Sequence, residues 1–244
     1  PDYSDHTPSG QIVRDLELLE SARADGKLKS SIHEAAGDLF LRVYQPVDVT
    51  LTELMPVIDN FGLVISDQWS ISVKPRACAA QSIDIFRIQK VPGIELADLL
   101  NRGQKLVDGL DAVFQKKVAS DALNRLLLRA NLRWDEVDLI RAYVGYSKQL
   151  KLAHPIPRIH EVLLHQAEAT AAIVSLFHAK FNPDAGEARE AVMAVATTAV
   201  EDALRKIPTA DEDFVLRYFY NLVEATIRTN FYRTDRVFHY ISFK

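Results

Sequence analysis

The feature that most constrains this chain is a change of hydrophobic period near Ile94. Before it, short segments alternate apolar and polar residues. After it, apolar positions recur at three- and four-residue spacing as far as Arg233. Period two sends side chains to alternate faces of a strand, whereas period 3.6 lines them along one side of a helix. A chain divided in this way is α+β, a small sheet module followed by a mostly α-helical bundle.

In the first part "DLFLRVYQP" reads as a strand that stops at Pro46. Thr50 and Glu53 then form a Thr-x-x-Glu capping box, followed by the helical stripe Leu51, Leu54, Ile58 and Phe61 and an exit at Gly62. Pro56 lies past the first turn, so a bend or a late helix start is expected. "LVISDQWSISVKP" reads as one strand, or two kinked near Asp67, and "SIDIFRIQKV" as another. Strand–helix–strand–strand opens a ferredoxin-like unit. No closing fourth strand is visible; either it is absent or another segment supplies it. Ahead of this unit, Leu16, Leu19 and Ala22 suggest a short helix ending at Gly26, read as a linker.

The helical part begins with a segment that Gly103 and Gly109 weaken into two pieces. A short apolar helix over "DALNRLLLRANL" follows, then one bearing Trp134, Val137, Ile140 and Val144. "PRIHEVLLHQAEATAAIVSLFHAKFNP" reads as one long helix, and an Ala-rich helix stops at Pro208. The last opens with a second capping box, Thr209 to Glu212, and runs through "EATIRTNFYR". "RVFHYISFK" reads as a strand. The start without Met and the stop on a strand lead us to expect a piece of a longer protein.

Composition narrows the chemistry. Nine glycines in 244 residues, none at the two-and-five spacing of a dinucleotide fingerprint, argue against a Rossmann nucleotide site, so no cofactor-binding residue is assigned. The mixed charges, 29 basic and 33 acidic, lack the basic footprint of a nucleic-acid binder. The weakly polar run Ala191 to Val200 is too short to span a bilayer. Single Cys78 cannot form an internal disulfide, which suits a reducing cytoplasm, and it lacks the partner base of a catalytic thiol. His154, His160, His165 and His178 lack the i, i+4 spacing and completing carboxylate of a helical metal site, and read as surface or capping residues. Asp211, Glu212 and Asp213 are explained by the dipole at a helix start. No catalytic or metal residue is assigned.

The last helix ends in polar residues, and Glu224 and Arg228 sit at i, i+4 with the acid first. Polar groups on an otherwise apolar helix invite a partner surface. Glu224, Arg228, Thr229, Asn230 and Tyr232 are therefore candidate interdomain contacts.

Here the sequence resembles the large NAD-specific glutamate dehydrogenases of bacteria. The resemblance is carried by Ala225, Thr226, Arg228, Thr229, Asn230, Phe231 and Tyr232, then Ser242, Phe243 and Lys244. Upstream it is carried by Asp121, Asn124, Arg125, Leu126, Trp134, Glu136, Val137, Arg141, Ala142 and Tyr143. "LTELMPVIDNFGLVISDQWSI" is similar to the start of that family's last ACT-like unit. Arg133 stands where the family favours a Ser helix cap, and "AYVGYSKQL" replaces its usual Leu-Arg-Gln ending.

The resemblance implies a linker segment at 1–37, an ACT-like module at 38–92, a helical domain at 93–232 and the first strand of a catalytic domain at 233–244. It implies a regulatory or structural segment preceding the catalytic domain, with NAD bound by the parent enzyme and not by this stretch. It further implies a cytoplasmic homo-oligomer, the catalytic domain of the same chain as partner, and an amino acid as candidate effector. An independent helical interaction module or amino-acid sensor is the alternative.

Overall fold

The structure, a computed structural model, describes residues 9–74, 80–89, 94–235 and 239–244. Cys78 with its loop, the opening residues before Ser9, residues 90–93 and the first three residues of "RVFHYISFK" lie outside the described residues. The chain divides into two compact units, Pro1–Asn124 and Arg125–Lys244.

The first unit is built on an antiparallel four-stranded sheet. Its elements in order are α1 (Ser9–Asp25), β1 (Lys29–Ala35), β2 (Asp38–Gln45), α2 (Leu51–Asn60), β3 (Ile65–Val73), β4 (Gln81–Ile88), α3 (Leu96–Asn101) and α4 (Gly103–Phe114). Strand order is β1-β2-β4-β3, so β4 lies between β2 and β3, the strands that α2 connects. The fourth strand comes from ahead of the module, within the stretch read as linker. "KSSIHEA" is poor in β-formers and becomes a strand by pairing with β2, from Lys29 opposite Tyr44 to Ala35 opposite Asp38. Ala36 and Gly37 close this hairpin, both at positive φ (53° and 82°), the geometry of a two-residue primed turn.

Alternation gives the central strands β2 and β4 two buried faces, while β3 carries no buried residue. On one, α1 lays Leu19 and Ala22 over Tyr44, Ile83 and Ile85. The helix is thus part of the module. Its buried stripe is Asp15, Leu19 and Ala22, while Leu16 is exposed. Asp15 can be buried because hydrogen-bond donors, one of them a guanidinium, meet its carboxylate. Arg42 Nη1 donates to it at 2.5 Å, Tyr44 Oη at 2.7 Å and Gln11 Nε2 at 2.7 Å. The other face carries Leu41, Val43 and Phe86, all fully buried. There α4 packs on β1, and α2 touches α4. Gly103 lets α4 approach, because a Cβ at that position would lie 2.8 Å from Ile32 Cγ2.

Thr50 N–H donates to Glu53 Oε2 (3.1 Å), and α2 continues through Pro56 without a break. β3 is one strand, with its register shifted between Ile65 and Asp67. The segment weakened by Gly103 and Gly109 is two helices that meet at Arg102, with Gly109 inside the second. Sequence reading starts the helical domain at residue 93, yet α3 and α4 pack against β1 within the first unit.

The second unit is helical: α5 (Leu126–Arg129), α6 (Trp134–Gln149), α7 (Ile156–His165), α8 (Ala167–Phe181), α9 (Arg189–Arg205) and α10 (Ala210–Ala225). α8 is central, packing against α7, α9 and α10. Its Ile173, Val174, Leu176 and Phe177 are buried with Val215, Leu216 and Phe219 of α10.

The long helix expected from Pro157 to Phe181 is two helices. Gln166 leaves helical geometry (φ −101°, ψ 53°), because α10 pulls on the junction. Glu212 accepts hydrogen bonds from His165 Nδ1 (2.7 Å) and Gln166 Nε2 (2.9 Å). Thr170 Oγ1 donates to the Leu163 carbonyl at 2.8 Å, satisfying an acceptor near the break. For the same reason the second capping box is half made. Thr209 Oγ1 accepts from Glu212 N–H, while the Glu212 carboxylate is spent on α7 and Gln166.

Two half-buried groups in the first unit set opposing pH dependences. Burial pushes Asp111, which accepts from Ser30 Oγ at 2.7 Å, from 3.8 up to about 6. Burial, then the Arg42 charge, holds His33 down from 6.5 to about 4. Between 3.8 and 6 the folded state binds more protons at Asp111, so its contribution to stability is lost as pH rises. Between 4 and 6.5 the unfolded state binds more at His33, so its contribution grows as pH rises. We predict that Asp111→Asn stabilises the unit by about 1–3 kcal/mol at neutral pH and uncovers a stability that climbs from pH 4 to 6.5. His33→Phe uncovers the opposite slope. Urea unfolding followed by Trp69 fluorescence, in a Trp134→Phe background, measures both.

Candidate functional site

The stretch read as the last turns of a helix is not helical. α10 ends at Ala225, and Thr226 is extended (φ −68°, ψ 123°). Two features end it. Thr226, Ile227 and Thr229 are β-branched residues of modest helix propensity. Lys180 Nζ of α8 donates to the carbonyls of Val223 (3.2 Å) and Glu224 (2.5 Å), placing a cation on the negative end of the helix.

Beyond Thr226 the chain doubles back on itself. Ile227 N–H and Arg228 N–H donate to the Lys244 carbonyl at 2.7 and 3.2 Å, and Lys244 N–H donates to the Arg228 carbonyl at 2.9 Å. Thr229 and Phe243 form an antiparallel bridge. Asn230 acts as a backbone surrogate, its Nδ2 donating to the Tyr240 carbonyl (3.1 Å) and its Oδ1 accepting from Ser242 N–H (2.8 Å).

This doubled stretch is fastened to α6 and α8 at four places. Tyr143 Oη donates to Thr226 Oγ1 (2.9 Å), which itself donates to the Leu222 carbonyl. The Phe243 ring stacks on Tyr143, with centroids 4.1 Å apart at 15°. Phe231 sits buried against Phe177 and His178. His239 Nε2 lies 2.8 Å from Asp138 Oδ2, edge-on to Trp134.

The centre of this region is a relay through His178. Its Nε2 is 2.9 Å from Glu136 Oε1, and its Nδ1 is 2.5 Å from Tyr232 Oη. An ionised carboxylate only accepts, so in the neutral ring Nε2 carries the proton and Nδ1 receives the Tyr232 O–H. Burial alone would raise Glu136. It is outweighed by the bond from His178, the Arg133 amide (2.6 Å) and the Arg133 guanidinium (2.8 Å), which together hold the carboxyl below its usual range. Burial, then the Glu136 and Asp135 charges against an opposing Arg133, pushes Tyr232 up to about 12. It therefore remains a donor at neutral pH. Arg133 cannot accept a backbone hydrogen bond as a Ser cap would. It serves α6 through its own amide and through charge on Asp135 and Glu136.

Of the five candidate residues, the structure joins Thr229, Asn230 and Tyr232 to this region. Thr229 Oγ1 accepts from Phe231 N–H at 3.1 Å. Glu224 is exposed at the helix end and Arg228 is exposed in the returning chain. The i, i+4 helix spacing has no meaning for them, because Arg228 lies outside the helix. Sequence reasoning passed over His178, classed as a surface or capping residue, and did not assign Glu136 to a site. One signal was present: Trp134, Glu136, Arg141, Tyr143, Thr226, Phe231, Tyr232 and Phe243, which carry the resemblance, all belong to this one assembly. Apart from His239–Asp138, the other acid–histidine pairs, His154–Asp211 and His165–Glu212, lie elsewhere. Asp211 is held by Arg158 (2.7 Å) and His154 (2.8 Å), so it is an ion-pair partner as well as a dipole residue. Among the described residues, no group of three or more His, Cys, Asp or Glu could hold a metal ion, and no helix is long and apolar enough to cross a membrane.

The relay makes a specific forecast for stability. Tyr232→Phe should cost about 1–2 kcal/mol, because His178 Nδ1 loses its donor in a half-buried site. Glu136→Gln should cost about 2–3 kcal/mol. The Glu136 contribution is present above the unfolded carboxyl value near 4.5 and is lost as pH falls through the lower folded value. Glu136→Gln should therefore also flatten the acid limb of the unfolding curve, whereas Tyr232→Phe should leave it in place.

Comparison with known proteins meets this geometry from outside. Residues 118–183 match the family description "Glutamate dehydrogenase, helical motif 3", a span that contains Glu136, Tyr143 and His178. The NAD-specific glutamate dehydrogenase of Halomonas elongata is 28% identical across 100% of this chain, which spans 15% of that protein. That of Pseudomonas aeruginosa is 28% identical over 91% of the chain and 14% of the relative. That of Mycobacterium tuberculosis is 30% identical over 76% of the chain and 12% of the relative. The chain thus spans about a seventh of the relatives it matches. It is related to one stretch of the NAD-specific glutamate dehydrogenases, a stretch that includes their helical motif 3.

Proposed function

We propose that this chain is a structural segment of an NAD-dependent glutamate dehydrogenase, with regulation as a further role, and that it is not catalytic by itself. The parent enzyme oxidatively deaminates L-glutamate to 2-oxoglutarate and ammonia, with NAD bound outside this segment. The parent is a cytoplasmic homo-oligomer, and the catalytic domain of the same chain is this segment's partner. The likeness along the whole chain to enzymes with that printed name supports this reading.

The observation that carries the scaffolding role is the fastening of the described residues after α10 to α6 and α8 through Thr226, Phe231, His239 and Phe243, around the Tyr232–His178 bond. A stretch tied down at four points is a fixed base from which a following domain can be positioned. The exposed side chains of Glu224, Ile227 and Arg228 are the groups that meet that domain in this reading. The sheet unit is ACT-like in this reading. β2-α2-β3-β4 with β4 central is a split strand–helix–strand unit, and α4 supplies a second helix on the face that α2 covers. β1 takes the edge that a closing strand would fill, from the front of the chain instead of the back.

The test uses the full-length parent enzyme carrying Tyr232→Phe together with His178→Ala. Assembly is followed by light scattering and activity by glutamate-dependent NAD reduction. The scaffolding role predicts less assembled enzyme and a proportionate loss of kcat, at least severalfold, with KM for glutamate unchanged. Full assembly with an altered response to added amino acids would shift the segment's role from scaffold to sensor. Unchanged assembly, activity and regulation would overturn the proposal.

A further inference from the structure

The sheet of the first unit is covered at one edge and open at the other. Three helices, α1, α3 and α4, pack on the β1 edge. At the other edge, among the described residues, β3 pairs with β4 alone, and none of its nine residues is buried. Antiparallel pairing with one neighbour leaves every second N–H and C=O of a strand pointing outward. Natural sheets blunt long edges with lysines, prolines or bulges. β3 has its bulge at the start, between Ile65 and Asp67, and its single charge is Asp67. From there to Val73 the edge is regular and carries no such guard.

An aromatic row ends at this edge. His33 of β1 stacks on Phe40 of β2 (5.4 Å, 25°), and Phe40 meets Trp69 of β3 edge-on (5.9 Å, 72°). The guanidinium of Arg87, on β4, lies over the Phe40 ring at 5.8 Å. The row stops at Trp69, which is 37% exposed. Ile71 and Val73 share its face by alternation and pack at the margin of the cluster beneath α1. The other face of the strand is polar, with Gln68 Nε2 (3.2 Å) and Ser70 Oγ both donating to Asp84. β4 thus holds an apolar face and a polar face in order along an open edge.

We propose that β3 pairs antiparallel with β3 of a second copy of this chain, about a two-fold axis at Ser70. In this register Trp69 of each copy lies opposite Ile71 of the other, and Gln68 lies opposite Ser72. Aromatic meets β-branched on one face and polar meets polar on the other, which are the cross-strand pairs that stabilise a sheet. Lys74, the residue after the strand, comes to the end that holds Asp67, so each end of the new ladder gathers one cation and one anion. Parallel pairing in register would set Asp67 beside Asp67. The contact is isologous and closes at two copies, joining two four-stranded sheets into one. It deepens the homo-oligomeric part of the proposed function and rests on that reading only for its consequence in the parent. Dimerisation is read on the 244-residue chain, so its failure would leave the assembly test, which probes the second unit, untouched.

The experiment is sedimentation velocity on the Trp134→Phe chain from about 1 to 100 µM, the range of a weak association, with Trp69 emission recorded on the same samples. The expected mass rises with concentration to twice that of one chain. Trp69 emission shifts to the blue in step, because Ile71 of the second copy covers the indole. Gln68→Lys with Ser72→Lys sets like charges opposite each other twice per dimer and should weaken association about tenfold. Gln68→Lys with Ser72→Glu sets opposite charges there and should return it to within about threefold of the starting affinity. Melting followed by circular dichroism checks that both variants fold; where one does not, the concentration-dependent shift of Trp69 decides the question. A chain that stays monomeric throughout would overturn the pairing. So would a dimer whose Trp69 emission does not move, or equal affinity in the two folded charge variants.

Discussion

Glu136 brings a charge to a place nearly closed to water, 8% exposed, and the second unit is organised by how that charge is satisfied. An unpaired carboxylate there would be costly. Three groups answer it: the Arg133 amide at the start of α6, the Arg133 guanidinium, and His178 from α8. His178 can serve Glu136 with Nε2 only by presenting Nδ1 elsewhere, and Tyr232 meets it. One buried charge thus links a helix start, a central helix and the chain beyond α10. The four aromatic and polar fastenings around it work on a frame that this link has already fixed.

The first unit rests on a different kind of constraint. Its central strands have two buried faces, and α1 covers one of them by sinking Asp15 against Arg42 and Tyr44. A buried ion pair of this sort is weak evidence of net stability, but removing one partner leaves the other stranded. It sets the position of α1 on the sheet, since the carboxylate fits where both donors point. On the opposite face the hairpin at Ala36 and Gly37 brings β1 to the edge, where Ser30 and Ile32 receive α4.

Elements with a strong local period were legible in the sequence: β2, β4, α2 with its capping box, and the α+β order. What was not legible depends on contacts far along the chain. β1 has little intrinsic preference for strand and is made one by its neighbour. Asp15 looks like a solvent residue until Arg42 is placed beside it. The break at Gln166 follows from Glu212, which lies beyond α9 in sequence. The polar residues after Ala225 were read as a helical surface seeking a partner, yet Thr229 and Asn230 are spent within the chain's own return, and Tyr232 on His178. His178 was invisible as a site residue because neither of its partners is near it in sequence.

Amide hydrogen exchange on the 244-residue chain tests the central claim, that the stretch after α10 is part of the folded second unit. The amides of Ile227, Arg228 and Lys244 donate across the returning chain. The account predicts that they are protected to nearly the same degree as those in the middle of α6 and exchange only when the unit opens as a whole. Exchange at the rate of a free peptide, with α6 still protected, would contradict it.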